Sequence, residues 1–133
     1  MTIDEARRIY ELWDEALGKK DVGASVSLYA PNATLESALV RHLTGSESGV
    51  IEGRDALTRF VEKVYAHALP ARRRYRTGFL TDGRTLMWEY PRVTPDGTQV
   101  DLVEVMELED GLIRRHRVYW GWYGLRTLEA ARR

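Results

Sequence analysis

The stretch Thr98–Tyr123, TQVDLVEVMELEDGLIRRHRVYWGWY, has the clearest secondary-structure pattern in the chain. Apolar and polar side chains alternate on both sides of Asp110-Gly111, and an Asp-Gly pair between such runs is a strong hairpin signal. The stretch therefore predicts two antiparallel strands, from Thr98 to Leu108 and from Leu112 to Tyr123.

The same pattern extends upstream of this hairpin. Asp-Gly pairs recur at intervals of 14 residues, at Asp82-Gly83, Asp96-Gly97 and Asp110-Gly111. Their spacing predicts a four-stranded meander whose first two strands run from Arg72 to Thr81 and from Arg84 to Thr94. Long strands can bend at Pro91, Gly121 and Gly124, and a bent sheet can enclose a pocket.

The first part of the chain has helical periodicity instead. Thr2 and Glu5 form a capping-box signature ahead of an amphipathic helix, which we expect Gly18 to end. Asp21 is a suitable cap for a second, shorter helix. A short strand is predicted from Ala33 to Ser37.

Two more segments precede the meander. Ala38 to Gly49 has no periodicity and predicts a loop, whereas Arg54 to Ala68 returns to helical spacing and predicts a third helix. We therefore predict an α+β, cone-shaped fold. In this fold, three N-terminal helices pack on a strongly curved, mainly antiparallel sheet that encloses a pocket. One domain is expected over residues 1–133.

Composition narrows the classes of function. Twenty basic and twenty acidic residues cancel, so no overall field attracts nucleic acid or an anionic membrane. No apolar run approaches the roughly 20 residues of a membrane span. The absence of cysteine excludes a thiolate nucleophile and is typical of a reducing compartment, so a cytoplasmic location is expected. The three histidines lack ligand spacing, and we expect neither a metal nor an organic cofactor.

Three motifs together resemble a known family. They are Leu28–Glu36 (LYAPNATLE), Ile51–Leu57 (IEGRDAL), and Val103–Met106 with Ile113–Trp120. In this order they resemble the SnoaL-like branch of the nuclear transport factor 2-like superfamily. That branch includes ketosteroid isomerases, polyketide cyclases, limonene epoxide hydrolases and scytalone dehydratases. The resemblance implies a small-molecule pocket, but this fold hosts many unrelated chemistries.

Four polar side chains are candidates for catalysis. If the turns contain two residues, Arg76 faces Glu89, and Glu89 faces Glu104. A turn one residue longer at Asp110-Gly111 places Glu104 beside His116. The predicted catalytic row is therefore Arg76, Glu89, Glu104 and His116. It depends on the register, because a one-residue slip moves a strand's side chains to the other face.

The resemblance supplies further pocket residues. The position of Glu104 carries a pocket carboxylic acid in ketosteroid isomerases, and the positions of His116 and Trp120 also face their pocket. Strand alternation adds substrate-binding candidates on the same wall, namely Leu102, Met106 and Val118. An acid and an imidazole in an apolar cavity suit proton transfer, so Glu104 and His116 are the leading catalytic candidates.

Two pocket positions depart from the isomerase pattern. The resemblance places Ser37 where the isomerases have a general-base aspartate, and Trp13 where they have an oxyanion-binding tyrosine. Both residues are predicted to bind substrate. Serine is not an unaided base near neutral pH, and an indole only donates a hydrogen bond. Steroid isomerisation is therefore disfavoured. Val118 occupies the position of the epoxide hydrolases' second carboxylate.

These observations predict a cofactor-independent acid/base enzyme. Its reaction would be isomerisation, dehydration, cyclisation or epoxide hydration of a small hydrophobic or polycyclic organic molecule. Three alternatives stay open. Glu104 and His116 form a satisfied buried pair away from substrate, the polar row lies on the convex face, or the protein is a non-catalytic binding or dimerisation module. Apolar Val103, Val105 and Tyr119 on the opposite sheet face predict a homodimer.

Overall fold

The computed structural model describes residues 1–67, 71–72, 77–93 and 99–121. Four helices occur in these ranges: α1 (Ile3–Lys19), α2 (Val22–Val26), α3 (Ala38–Thr44) and α4 (Arg54–Ala66). None of them is long and apolar enough to cross a membrane.

The described strands form one mixed sheet. They are β1 (Tyr29–Ser37), β2 (Val50–Glu52), β3 (Ala71–Arg72), β4 (Leu80–Thr81), β5 (Thr85–Val93), β6 (Gln99–Glu109) and β7 (Leu112–Trp120). Their order is β2-β1-β7-β6-β5-β3, and β4 also pairs with β5. Only the β1–β7 pair among these is parallel. Helices on a mainly antiparallel sheet confirm the predicted α+β class.

Local capping signals position the first two helices. The Glu5 amide donates to Thr2 Oγ1 at 3.1 Å and the Thr2 amide donates to Glu5 Oε2 at 2.9 Å, which confirms the capping box. The Ala24 amide donates to Asp21 Oδ1 at 3.0 Å at the start of α2. The prediction that Gly18 ends α1 was wrong. The helix continues to Lys19, and Lys20 adopts the left-handed cap conformation with φ 54°.

The segment after β1 is a helix where a loop was predicted. Ser37 caps α3, and Gly45 ends it with φ 72°. Val40 is its one fully buried residue, so this seven-residue helix has no repeating apolar stripe for sequence periodicity to detect.

The first predicted meander strand is also different in the structure. Instead of one strand from Arg72 to Thr81, two short strands, β3 and β4, pair with β5. Residues 77–79 between them have no regular structure. Residues 73–76, and Ala68 at the predicted end of the third helix, lie outside the described ranges.

The core lies between the helices and the inner face of the sheet. Its most deeply buried large side chains are Ile9, Val40, Leu86, Met106 and Ile113. Each such side chain contributes about 1.5–3 kcal/mol of burial free energy. Arg54 at the start of α4 donates from Nη2 to the Tyr29 carbonyl oxygen at 2.6 Å, which ties this helix to β1.

The hairpin between β6 and β7 has a tight turn. Asp110 and Gly111 are its two central residues, and both have positive φ values, 52° and 77°. This is the pattern of a type I′ turn, which matches the twist of antiparallel strands. The prediction of a longer turn here was therefore wrong.

The additional residue that was expected in the turn is instead a β-bulge in β7. Glu107 pairs with Arg115, but the adjacent Leu108 pairs with Ile113, so Arg114 has no partner in the ladder. Side chains three positions apart on a regular strand face opposite sides of the sheet. Because of the bulge, Ile113 and His116 are both buried.

The left-handed turn gives a stability test. We expect Gly111→Ala to lower the free energy of unfolding by about 1 kcal/mol, because an L side chain is strained at φ 77°. The matched control is Gly23→Ala in α2, where an added Cβ meets nothing closer than 3.7 Å. That change is expected to be neutral or stabilising. Urea denaturation of both variants measures the difference, and equal effects would contradict the turn assignment.

Candidate active site

A buried chain of three side chains joins three strands. His116 on β7 contacts Glu104 on β6 through Nε2 and Oε2 at 2.5 Å. Its other ring nitrogen, Nδ1, lies 2.7 Å from the hydroxyl of Tyr29 on β1. Each of the three residues is only 4% exposed. The buried carboxylate is thus paired, as burial of a charge requires.

The sheet register brings these side chains together. Glu104 pairs with Val118 and His116 pairs with Met106, so Glu104 and His116 are diagonal neighbours on one face. Tyr29 pairs with Ile113, and the register between β1 and β7 shifts before Thr34. The site therefore depends on irregularities in both β1 and β7.

The raised pKa of Tyr29 indicates which group donates in each of these two hydrogen bonds. Burial, followed by the negative charge of Glu104, holds the pKa of Tyr29 well above its usual range. Tyr29 is therefore a phenol, and we assign its O–H as the donor to His116 Nδ1. The Nε2–H of His116 then donates to Glu104 Oε2.

This arrangement leaves one basic atom for a ligand. Both ring nitrogens of His116 are occupied, by Tyr29 and by Glu104. The second carboxylate oxygen, Glu104 Oε1, has no hydrogen-bond partner among the described residues. Glu104 also lines a cavity. The acceptor that this group of side chains offers to a bound molecule is therefore a carboxylate oxygen and not an imidazole nitrogen.

The cavity lies between the helices and the sheet and has a volume of about 110 Å³. Most of its wall is apolar, with Phe60, Leu102 and Val118 as examples. Its ionisable or hydroxyl-bearing lining residues are Ser25, Tyr29, Ser37, Tyr65, Tyr90, Glu104 and His116. An engineered apolar cavity of roughly 150 Å³ takes up benzene, so this space suits a molecule of about one ring.

Two cavity hydroxyls are held in fixed roles. Ser25 Oγ donates to the Asp21 carbonyl oxygen at 2.8 Å, so the Tyr65 hydroxyl, 2.6 Å away, donates to Ser25. Ser37 Oγ accepts from the Leu39 amide at 3.1 Å and from Trp120 Nε1 at 3.2 Å.

The structure gathers most of the predicted site residues around this cavity. Those lining it are Trp13, Ser37, Leu102, Glu104, His116, Val118 and Trp120. The alternative of a convex-face location is therefore wrong for Glu104 and His116. Met106 is not among the described lining residues, because it is fully buried in the core. The catalytic and binding roles of the gathered residues remain predictions.

The predicted position of Glu89 opposite Glu104 was wrong. Glu89 pairs with Val103 and is exposed, while Trp88 is the residue opposite Glu104. Five residues separate the paired Val93 and Gln99, where a two-residue turn was assumed. An odd connection shifts the register by one and moves Glu89 to the other face. The fourth member of the predicted row, Arg76, lies outside the described residues.

Sequence reasoning did not find Tyr29 as part of the site. Tyr29 lies within the LYAPNATLE motif, but its hydroxyl meets a side chain 87 positions away. Such a contact has no local sequence signal. Among the described residues, no three His, Cys, Asp or Glu side chains form a group that could hold a metal ion.

The profile of the SnoaL-like domain matches residues 6–116. The chain belongs to the SnoaL-like domain family. This confirms the resemblance found in the sequence. Among proteins of curated function, none matches the sequence.

Solved structures show the same fold. A SnoaL-like protein of unknown function from Burkholderia thailandensis is 15% identical, with a TM-score of 0.71 over 90% of this chain and 97% of that one. A proposed ketosteroid isomerase from Kribbella flavida is 20% identical, with a TM-score of 0.67 over 88% and 78%. A proposed polyketide cyclase from Sinorhizobium meliloti is 19% identical, with a TM-score of 0.65 over 84% and 94%. At these identities the likeness concerns the fold alone.

The raised pKa of Tyr29 predicts alkaline destabilisation. Above pH of about 10 the unfolded chain releases this proton while the folded chain retains it. The free energy of unfolding should therefore fall as pH rises, by up to about 1.4 kcal/mol per pH unit for this group. Below pH of about 10 this effect is absent.

Urea denaturation between pH 8 and pH of about 11 measures this slope. Tyr29→Phe should show a shallower slope than the wild type, whatever its own loss of stability at pH 8. The control Gly111→Ala, which lowers stability at the β6–β7 turn without removing a titrating group, should keep the wild-type slope. Identical slopes in wild type and Tyr29→Phe would contradict the assigned environment.

Proposed function

We propose that this SnoaL-like protein is a cofactor-independent enzyme that removes a proton from a carbon next to a carbonyl group. Its substrate is a small compound of about one ring, and Glu104 is the base. The observation that carries the proposal is the available Oε1 of Glu104 in the wall of an apolar cavity, with Oε2 bound to His116. A low-dielectric site strengthens the interaction of a carboxylate with an acidic C–H group.

The proposed step balances as a proton transfer. The C–H bond breaks, its proton passes to Glu104 Oε1, and its electron pair moves through the new C=C bond to the carbonyl oxygen. Return of the proton to another carbon completes an isomerisation. In a dehydration, Glu104 instead passes the proton to the departing β-hydroxyl group, which leaves as water. In a cyclisation, the enolate carbon attacks a second carbonyl carbon, and the proton passes from Glu104 to the new alkoxide oxygen.

His116 and Tyr29 serve as positioning residues in this proposal. His116 fixes the direction of the Glu104 carboxylate through Nε2–H. Tyr29 fixes the tautomer of His116 by donating to Nδ1. Catalytic groups held in this way lose little orientational freedom when substrate binds.

Epoxide hydration has less support than enolisation. That reaction, as the related hydrolases perform it, needs a second carboxylate, and Val118 occupies the matching position. Glu104 is the only acid among the described residues that line the cavity. A polycyclic substrate is also disfavoured, since about 110 Å³ matches roughly one ring.

A non-catalytic ligand-binding module is the second candidate. The observation in its favour is the satisfaction of both ring nitrogens of His116 inside the buried chain. Buried networks of this kind also occur in proteins as structural features. The two candidates differ in whether a bound ketone exchanges its α-protons.

Exchange of α-protons with D₂O tests the enzyme proposal. Proton NMR follows this exchange for cyclohexanone and cyclohex-2-enone with the wild-type protein. We expect Glu104→Gln and His116→Ala each to lower the rate on the order of a hundredfold, because one removes the base and the other its positioning group. The control is Glu107→Gln, which changes a β6 carboxylate that instead pairs with Arg117 at 3.1 Å.

The outcomes of this experiment are distinct. A rate that Glu107→Gln leaves unchanged and Glu104→Gln abolishes supports the enzyme. Binding of the ketones without exchange favours the ligand-binding module. An equal rate in wild type and Glu104→Gln would remove Glu104 from the chemistry.

We also propose that the outer sheet face forms a homodimer. Tyr119 is 56% exposed and Met87 is 37% exposed, and both line an outer groove with Val103. Apolar side chains on an otherwise solvated face need a cover. Sedimentation velocity at micromolar concentration should show a dimer that Tyr119→Glu converts to monomer. A wild-type protein that sediments only as a monomer would exclude this assembly.

A further inference from the structure

The hydroxyl of Ser37 is restricted to one role toward a ligand. Ser37 is 5% exposed and lines the cavity. Its Oγ accepts from the Leu39 amide and from Trp120 Nε1, which occupies both acceptor positions of a hydroxyl oxygen. Its own O–H has no acceptor among the described residues. A molecule in the cavity can therefore only accept from Ser37.

Ser37 and Glu104 lie at two ends of one cross-strand row. Ser37 pairs with Val118 in the β1–β7 ladder, and Val118 pairs with Glu104 in the β6–β7 ladder. Adjacent strands are about 4.8 Å apart, so the two end backbones are separated by roughly 10 Å. All three residues line the cavity. The row presents a hydroxyl donor at one end, an apolar side chain in the middle and a carboxylate at the other end.

We propose that Ser37 binds the carbonyl oxygen of the ligand and that the site selects small ring ketones. The ring would lie over Val118, with its oxygen at the Ser37 hydroxyl and an α-carbon directed toward Glu104. The inference deepens the proposed function, because it names the group that receives the charge when Glu104 removes the proton.

The surrounding hydrogen bonds favour this role. The two N–H groups that donate to Ser37 Oγ polarise its O–H and strengthen it as a donor. A hydrogen bond to the carbonyl oxygen strengthens further as negative charge develops there. Ser37 is thus a stabilising group for the enolate.

The main competing explanation is structural. Ser37 is also the cap of α3 through its contact with the Leu39 amide. Loss of such a cap typically costs about 1 kcal/mol without any effect on ligand preference. A test must therefore separate ligand selection from stability.

Ligand-observed NMR can measure this selection as a ratio of dissociation constants. The probes are cyclohexanone and methylenecyclohexane, which have the same shape but differ in the acceptor oxygen. Because the alkene leaves water more readily than the ketone, the informative quantity is the change in this ratio between variants. We expect Ser37→Ala to shift the ratio toward methylenecyclohexane by about tenfold, the value of one hydrogen bond in a dry site. Ser37→Thr, which replaces the hydroxyl, should return the ratio to the wild-type value.

Thr2→Ala is the matched control, since it removes the cap of α1 instead of the cap of α3. It should keep the wild-type ratio of the two dissociation constants. A second measurement needs no variant: the ¹³C carbonyl signal of labelled cyclohexanone should move downfield on binding to wild type, as a hydrogen-bonded carbonyl does. An unshifted carbonyl signal, or equal preference in wild type and Ser37→Ala, would overturn the role of Ser37.

The results also separate this inference from the enzyme proposal. Ketone selection that depends on Ser37, without α-proton exchange, would support the binding role and reject the catalytic function. Exchange that depends on Glu104, with no effect of Ser37→Ala on ketone preference, would reject Ser37 and leave the function standing.

Discussion

The contact between Glu104 and His116 is the constraint on which the rest of the site depends. A carboxylate that is 4% exposed must be paired, because an isolated buried charge costs several kcal/mol. His116 reaches Glu104 only because the bulge at Arg114 lets β7 bury both Ile113 and His116. Tyr29 then occupies the remaining ring nitrogen from β1. These hydrogen bonds thus link side chains from three strands, β1, β6 and β7.

The cavity has a hydrogen-bond acceptor at one end of its sheet wall and a donor at the other. Glu104 offers a carboxylate oxygen, while Ser37 offers a hydroxyl hydrogen two strands away. The wall between them is Val118, and the volume is close to that of one small ring. The SnoaL-like fold is shared by proteins described as isomerases and as cyclases, so the backbone alone does not select a reaction. The polar groups at the two ends of this row are what can select it.

The sequence predicted the fold class and part of the cavity wall, mainly on the sheet side, for physical reasons. Strand alternation around Asp110-Gly111 specifies which side chains share a face, so the sequence pattern alone groups Leu102 with Glu104. The resemblance then indicated that this face surrounds the pocket. Short elements were less predictable. The helix α3 has a single fully buried residue. The strand predicted from Arg72 to Thr81 is interrupted at residues 77–79, and the short strands β3 and β4 pair with β5.

Local sequence was enough to predict the α+β class, the capped helices α1 and α2, and the membership of Glu104 and His116 in the sheet. These follow from local periodicity, capping chemistry and turn residues. Tertiary structure decided the rest: the outward position of Glu89, the burial of Met106 in the core, and the contact of Tyr29 with His116. These depend, in turn, on the length of a connection, on packing in the core and on a contact between distant residues. Such features change which face a side chain occupies without altering the local sequence pattern.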